Sequence, residues 1–143
     1  MKKETLAKIL TYLGAIPFII LTSIAVYGNN YIPSDFANII LMAYCAIILS
    51  FTSGMHFSYA ILQDKICVKI LILSNIIALA SWGSLLVNFR LSFLIAIICF
   101  SINLIIDFVC YKNSIIERWF FNLRLRISII VLICLILNFW HIL

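Results

Sequence analysis

The sequence predicts an all-α fold: an integral membrane bundle of five transmembrane helices, with a short interfacial amphipathic segment before the last span. Three observations carry that expectation. The 143 residues are 66% hydrophobic and only 10% charged, with mean hydropathy +1.22; the apolar residues fall in long runs; and the cations sit in the gaps between those runs. A soluble domain is about 45–50% apolar and about 25% charged, so no water-soluble core hides this excess. At roughly 20 residues per crossing, the length suits five or six helices, expected to form one transmembrane domain. The net charge of +5 would point to nucleic acid only if its cations gathered on a folded, solvated surface. Interleaved with apolar runs, they speak for membrane orientation, and the expected partner is the lipid bilayer.

The first run, residues 6–27, follows Lys2 and Lys3 and includes Lys8, which is also how a secretory signal begins, and Ser23-Ile24-Ala25 has the character of a cleavage site. Its length and Pro17 in its middle favour a retained helix, kinked near Gly14 and Pro17 because proline lacks a backbone donor. A turn over residues 28–35, dense in Gly, Asn and Pro, follows. Ser34 or Asp35 is expected to cap the second helix, residues 36–62, which Gln63-Asp64-Lys65 closes. The third run, residues 66–87, and the fourth, residues 91–111, are separated by so short a gap that they must form an antiparallel hairpin. Between residues 112 and 126, Ser114 and Glu117 have the spacing of a capping box and predict a helix start. Ile115, Ile116, Trp119, Phe120 and Leu123 then share one face, with Glu117, Arg118 and Asn122 off it. This segment reads as a helix in the headgroup layer or as an extension of the final run, residues 125–141.

Five cysteines, Cys45, Cys67, Cys99, Cys110 and Cys134, are widely spaced in or beside apolar runs without a C-x-x-C pair. They are expected to pack as small hydrophobes. With the amino terminus cytoplasmic, Lys2, Lys3, Lys8, Lys65, Lys69, Lys112, Arg118, Arg124 and Arg126 all lie on the inner side, and Arg90 alone lies outside. Cations gather on the cytoplasmic side of membrane proteins, and this asymmetry fits five spans but neither four nor six. Aromatics agree, with Tyr12, Tyr59, Tyr111 and Trp119 near inner ends and Tyr27, Tyr31, Phe89 and Trp140 near outer ends. The expected topology is amino terminus in and carboxyl terminus out.

Within the spans, Ala46, Ser50, Gly54 and Ser58 recur every four residues on the second helix. Such a small face reads as a tight helix contact, or alternatively as the wall of a hydroxyl-lined path. Ionisable groups inside spans are costly and face the bundle interior. His56 lies in that class, either hydrogen-bonded to a neighbouring helix or serving proton relay, metal or substrate. Asp107 is the one acid within a span, and Asn103 sits one turn before it on the same face. A buried carboxylate needs a partner or a proton; His56, Arg118, Arg124 and Arg126 are the candidates. No H-E-x-x-H, G-x-S-x-G or phosphate-cradling glycine loop occurs, so neither an enzyme nor a cofactor is expected.

With these residues in view, the chain resembles a family of small polytopic membrane proteins of bacterial inner membranes and mitochondria, the domain of unknown function 3429, related to mitochondrial transmembrane protein 69. Its L-G-x-I-P-F landmark is similar to Leu13-Gly14-Ala15-Ile16-Pro17-Phe18. The longest, Y-G-A-x-I-L-S-F-x-G-G-x-H-W-G, resembles residues 44–58, with departures at Cys45, Ser53, Phe57 and Ser58. A third, W-Y-x-x-L-R, resembles Trp119-Phe120-Phe121-Asn122-Leu123-Arg124. The resemblance implies a five-span count and no assigned activity, and it directs attention to Ser50, Gly54, His56, Trp119 and Arg124. The leading expectation is a component that acts through interactions, with a membrane protein partner or as a homo-oligomer, in a bacterial inner (plasma) membrane. The alternatives are a small proton-coupled permease using His56, Asn103 and Asp107 and, third, an intramembrane enzyme.

Overall fold

In lipid each backbone donor and acceptor must be satisfied within its own segment, and the apolar runs accordingly fold as long helices. The computed structural model describes residues 2–28, 30–63 and 68–142. Asn29 of the first turn, Asp64 and Lys65 of the second, Ile66 and Cys67 lie outside the described residues. The elements are α1 (Lys3–Tyr27), α2 (Ser34–Leu62), α3 (Val68–Gly83) prolonged by a 3-10 turn at Ser84–Leu86, α4 (Phe89–Lys112) and α5 (Arg118–His141). Among the described residues, five helical segments are long and apolar enough to cross a membrane. Ile47, Phe51, Leu79, Trp82 and Ile105 are all more than half exposed, an outer surface suited to hydrocarbon and not to water.

Four helices form a ring in which α1 packs on α2, α2 on α4, α4 on α5 and α5 on α1, while α3 leans on α2 and α4 from outside. Among the described residues the backbones of the diagonal pairs, α1 with α4 and α2 with α5, stay apart, and α1 reaches α4 through the Phe18 side chain. Lys8 of α1 lies over Trp119 at the start of α5, and Asn138 near the end of α5 bonds Thr22 near the end of α1. These two helices are therefore parallel, and the two ends of the described chain sit at opposite ends of the bundle. Every described Lys and Arg except Arg90 belongs to one end, called here the basic end. The core is Phe18, Leu41, Leu49, Ile77, Phe93, Val131 and Leu135, all almost fully buried. Phe18 meets Tyr44 at 5.1 Å and Phe100 edge-on at 6.0 Å, tying α1 to α2 and α4. Cys45, Cys99, Cys110 and Cys134 are free and buried.

Helix α1 runs on through Pro17, which offers no N–H to the carbonyl of Leu13. One residue along, the Gly14 carbonyl accepts a hydrogen bond from the Tyr44 hydroxyl at 2.9 Å, so the weakened turn is held from α2. At the start of α2 the expected caps are displaced by one step. Pro33 is the capping residue, Ser34 and Asp35 fall inside the first turn, and no side chain caps that end. Asp35 there complements the positive end of the helix dipole. Asn88 caps α4 by accepting from the Leu91 amide at 3.0 Å, which makes the α3–α4 reversal short.

In the region 112–126 the second of the two expected alternatives holds, an extension of the last span, and not a separate interfacial helix. Ser114 does not begin a helix; it ends one. Its φ is 57°, and the amides of Ser114 and Ile115 bond back to the carbonyls of Tyr111 and Cys110 at 3.0 Å each, the paired bonds of a Schellman ending. Glu117 then precedes α5 without a side-chain cap, and Arg118, Trp119, Phe120 and Leu123 belong to a single helix continuous with the last span. The capping-box spacing was real, but the chain used Ser114 to satisfy the last carbonyls of α4. Stacking of Tyr111 on Phe121 at 4.9 Å and 10° draws α5 directly onto α4 and leaves no length for an intervening helix.

A serine in the left-handed region keeps a Cβ clash that glycine lacks. Ser114→Gly is expected to raise the unfolding free energy by about 1 kcal/mol, and Ser114→Val to lower it by about as much or more. Denaturant titration of the purified protein in detergent checks this; equal midpoints for the two variants would contradict the Schellman reading.

Candidate functional site

The buried ionisable side chains of the interior gather toward the basic end, where α2, α4 and α5 meet. Thr52 and His56 stand one helical turn apart on α2, and Asn103 and Asp107 stand one turn apart on α4. Side chains four residues apart share a helix face, so two parallel helices placed side by side align both pairs. Asn103 Nδ2 donates to Thr52 Oγ1 at 2.9 Å, and His56 Nε2 lies 2.8 Å from Asp107 Oδ1. From α5, Arg124 donates to the other carboxylate oxygen, Oδ2, through Nε at 3.0 Å and Nη2 at 2.9 Å. The side chains of His56 and Asp107 are 1% and 3% exposed, and that of Arg124 is 14% exposed.

This grouping follows from the cost of charge in lipid. An ionic group in hydrocarbon is tolerated only when paired and hydrogen-bonded. The guanidinium is permanently charged, and the carboxylate facing it can only accept, so His56 donates from Nε2. Both carboxylate oxygens thus receive donors, from two different helices. Two buried acceptors keep no donor among the described residues: His56 Nδ1 and Asn103 Oδ1. A third such atom, Asn38 Oδ1, belongs to the other end of α2.

The structure therefore brings together His56, Asn103, Asp107 and Arg124. Arg118 and Arg126, the other candidate partners of Asp107, are exposed. Trp119 stands apart from the cluster, donating from Nε1 to Glu117 at 2.5 Å beneath the Lys8 ammonium. Ser50, Gly54 and Ser58 face outward, and a Cβ on Gly54 would meet nothing within 4 Å. Of the small face, Ala46 is thus buried within the bundle, whereas its other three members turn away from the interior. The inward face of α2 is the neighbouring stripe of Leu49, Thr52, Ser53 and His56, which buries the costlier imidazole.

Sequence reasoning passed over Thr52, Thr22 and Asn138. Asn138 Nδ2 donates to Thr22 Oγ1 and to the Cys134 carbonyl, both at 2.8 Å, joining α5 to α1 at the end away from the ion pair. A lone asparagine inside an apolar run is the signal that finds such a clasp, since its amide must bond within the bundle. The pairing threonine gives no signal, because its hydroxyl can equally return to its own helix. Among the described residues, no three His, Cys, Asp or Glu side chains come together in a way that would hold a metal.

A family model described as a protein of unknown function (DUF3429) matches residues 3–140. No curated protein and no solved structure matches the chain.

Removing one member of a buried ion pair strands the other, at about 3–5 kcal/mol in soluble proteins. Arg124→Met is expected to cost about 3 kcal/mol, and Asp107→Asn in the same chain to recover part of that loss. Thr22→Val, which removes one neutral bond between helices, is expected to cost about 0.6 kcal/mol. Unfolding titrations of the three variants check the order; equal losses for Arg124→Met and Thr22→Val would remove the ion pair from its dominant place.

Proposed function

The chain belongs to the DUF3429 family of proteins of unknown function, and from that premise we propose that it is a membrane interaction component, which joins or stabilises a larger membrane assembly and is not an enzyme. One observation carries the reading: the charged groups inside the bundle are occupied with one another. Asp107 is held by His56 and Arg124 together, so the interior chemistry locks three helices, and the outer surface is left for other work. On that surface Ser50, Gly54 and Ser58 form a small-residue strip between bulky neighbours such as Ile47, Phe51 and Ile61. In lipid, small residues are where another helix approaches closely, whether from a partner protein or a second copy of this chain. The reading places the protein in a bacterial inner membrane with its basic end cytoplasmic and its carboxyl terminus outside.

A second reading, a small proton-coupled permease, is favoured by one specific feature. His56 meets Asp107 at 2.8 Å and keeps a buried Nδ1 that no described residue partners, an imidazole and a carboxylate side by side within the spans.

The readings separate on two variants. Gly54→Leu adds bulk where nothing stands in its way, so bundle stability is expected to stay within about 0.5 kcal/mol. A partner co-purifying with the native protein in mild detergent should then be lost, and its retention would sink the interaction reading at this face. His56→Gln should leave co-purification intact, whereas a permease would lose substrate-driven proton flux at normal abundance. Reporter fusions at each end check the topology, with activity expected from a cytoplasmic reporter at the amino terminus only.

A further inference from the structure

The four-helix ring, whose diagonal backbones stay apart, surrounds a cavity of about 410 Å³ toward the basic end. That is within the size range of small-molecule sites, about 300–1,000 Å³. Its walls are apolar, formed by Phe18, Ile48, Phe100 and Ile127, and its rim includes Leu10 and Phe51, both exposed. The opening therefore lies between α1 and α2 and faces the surroundings that the outer helix surfaces face. Its polar lining is Thr11, Thr52, Asn103, Arg124 and Ser128; of these, Asn103, 2% exposed, holds a buried acceptor that meets no donor among the described residues, and Arg124 brings the cation.

We infer that this cavity binds a single-chain amphiphile with an uncharged hydroxyl head, the head on Asn103 and Arg124 and the tail passing between α1 and α2 into the lipid. The head chemistry follows from what the two residues have left to offer. Asn103 has committed Nδ2 to Thr52, and no described donor reaches its Oδ1, so the ligand must bring a donor. Arg124 directs Nε and Nη2 at Asp107, and a guanidinium carries five N–H groups, so the ligand must also accept. A hydroxyl does both at one atom. The head is uncharged because Asp107 already balances Arg124, and a further charge would stand unmatched in an apolar enclosure. One chain is assigned because the cavity, about 410 Å³, lies at the low end of the range for small-molecule sites. This assignment stands independently of any protein partner.

The test uses the full chain in lipid nanodiscs, where no detergent of similar chemistry competes, with a diazirine-bearing hexadecanol as photolabel. Labelling is expected to be saturable, to map to residues of the cavity such as Phe51 and Met55, and to fall at least tenfold with excess unlabelled dodecanol. Thr11→Phe, which fills the cavity from α1 without touching the polar pair, should cut labelling at least tenfold. Asn103→Leu should do the same, and Ile20→Phe, on an exposed part of α1 outside the cavity, should leave it unchanged. If Asn103→Leu fails to fold, Thr11→Phe against Ile20→Phe decides the matter alone. Labelling that does not saturate, or that is equal in those two variants, means contact with bulk lipid tails only and overturns the proposal. Competition at alkaline pH distinguishes the head: dodecanol displacing the label better than ionised laurate supports the uncharged assignment, and the reverse order overturns it.

Discussion

A carboxylate inside hydrocarbon must find its counter-charge within the protein, and Asp107 sets the geometry of this bundle for that reason. Its two oxygens are claimed from different directions, Oδ1 by His56 on α2 and Oδ2 by Arg124 on α5. Because Asp107 is on α4, three helices are fixed at one height and rotated so that the three side chains converge. Apolar packing between transmembrane helices carries little such information, since lipid tails are as apolar as leucine. Rotating α5 by a third of a turn would still bury leucines. It would also leave a charged guanidinium facing lipid.

The rest of the ring is organised around that anchor. Thr52 with Asn103 and His56 with Asp107 are two contacts with the same residue separation, 51, so α2 and α4 run parallel in step over at least one turn. Across the ring, α1 and α5 form the second parallel pair, held by Thr22 and Asn138 at one end and by the Lys8–Trp119 contact at the other. Two parallel pairs set side by side give a ring whose diagonal backbones stay apart, leaving a cavity that Phe18 and Phe100 wall without filling. Helix α3 is bound differently. Its inward residues are Ile70, Ser74, Ile77 and Ser81, and the hydroxyls of both serines return to carbonyls of α3 itself. Close packing through small side chains therefore carries that contact, without a polar link among the described residues.

The helices were legible in the sequence because hydropathy in a membrane protein is a direct solvent signal: each apolar run became a helix, with ends displaced by a few residues. The convergence on Asp107 was legible too, since the number of acceptable partners for a buried acid is small. Three features were not legible, for separate physical reasons. Ser114 has the spacing of a helix start, but whether a serine serves the helix before it or after it depends on φ, which sequence does not carry. Thr22 is indistinguishable from a threonine bonded to its own helix, as Thr11 is to the Ala7 carbonyl, and Thr52 donates to the Leu49 carbonyl of its own helix while also accepting from Asn103. Helix α2, finally, carries two four-residue stripes side by side, one of Ala46, Ser50, Gly54 and Ser58, the other of Leu49, Thr52, Ser53 and His56.

The choice between those stripes shows how the chain divides its work. Size alone would have turned Ser50, Gly54 and Ser58 inward after the buried Ala46, as close packing prefers. Polarity decided otherwise, because an imidazole turned toward lipid loses its hydrogen bonds, whereas Ser50 and Ser58 carry hydroxyls that can be satisfied locally, as Ser58 is by the Gly54 carbonyl at 3.1 Å. Turning His56 inward therefore also turned Gly54 outward, since the two lie only two residues apart on one helix. A buried ion lock and a smooth, approachable outer strip thus come from a single rotation of α2. A substitution that reoriented this helix would disturb both, and one at Gly54 alone would reach only the outer strip.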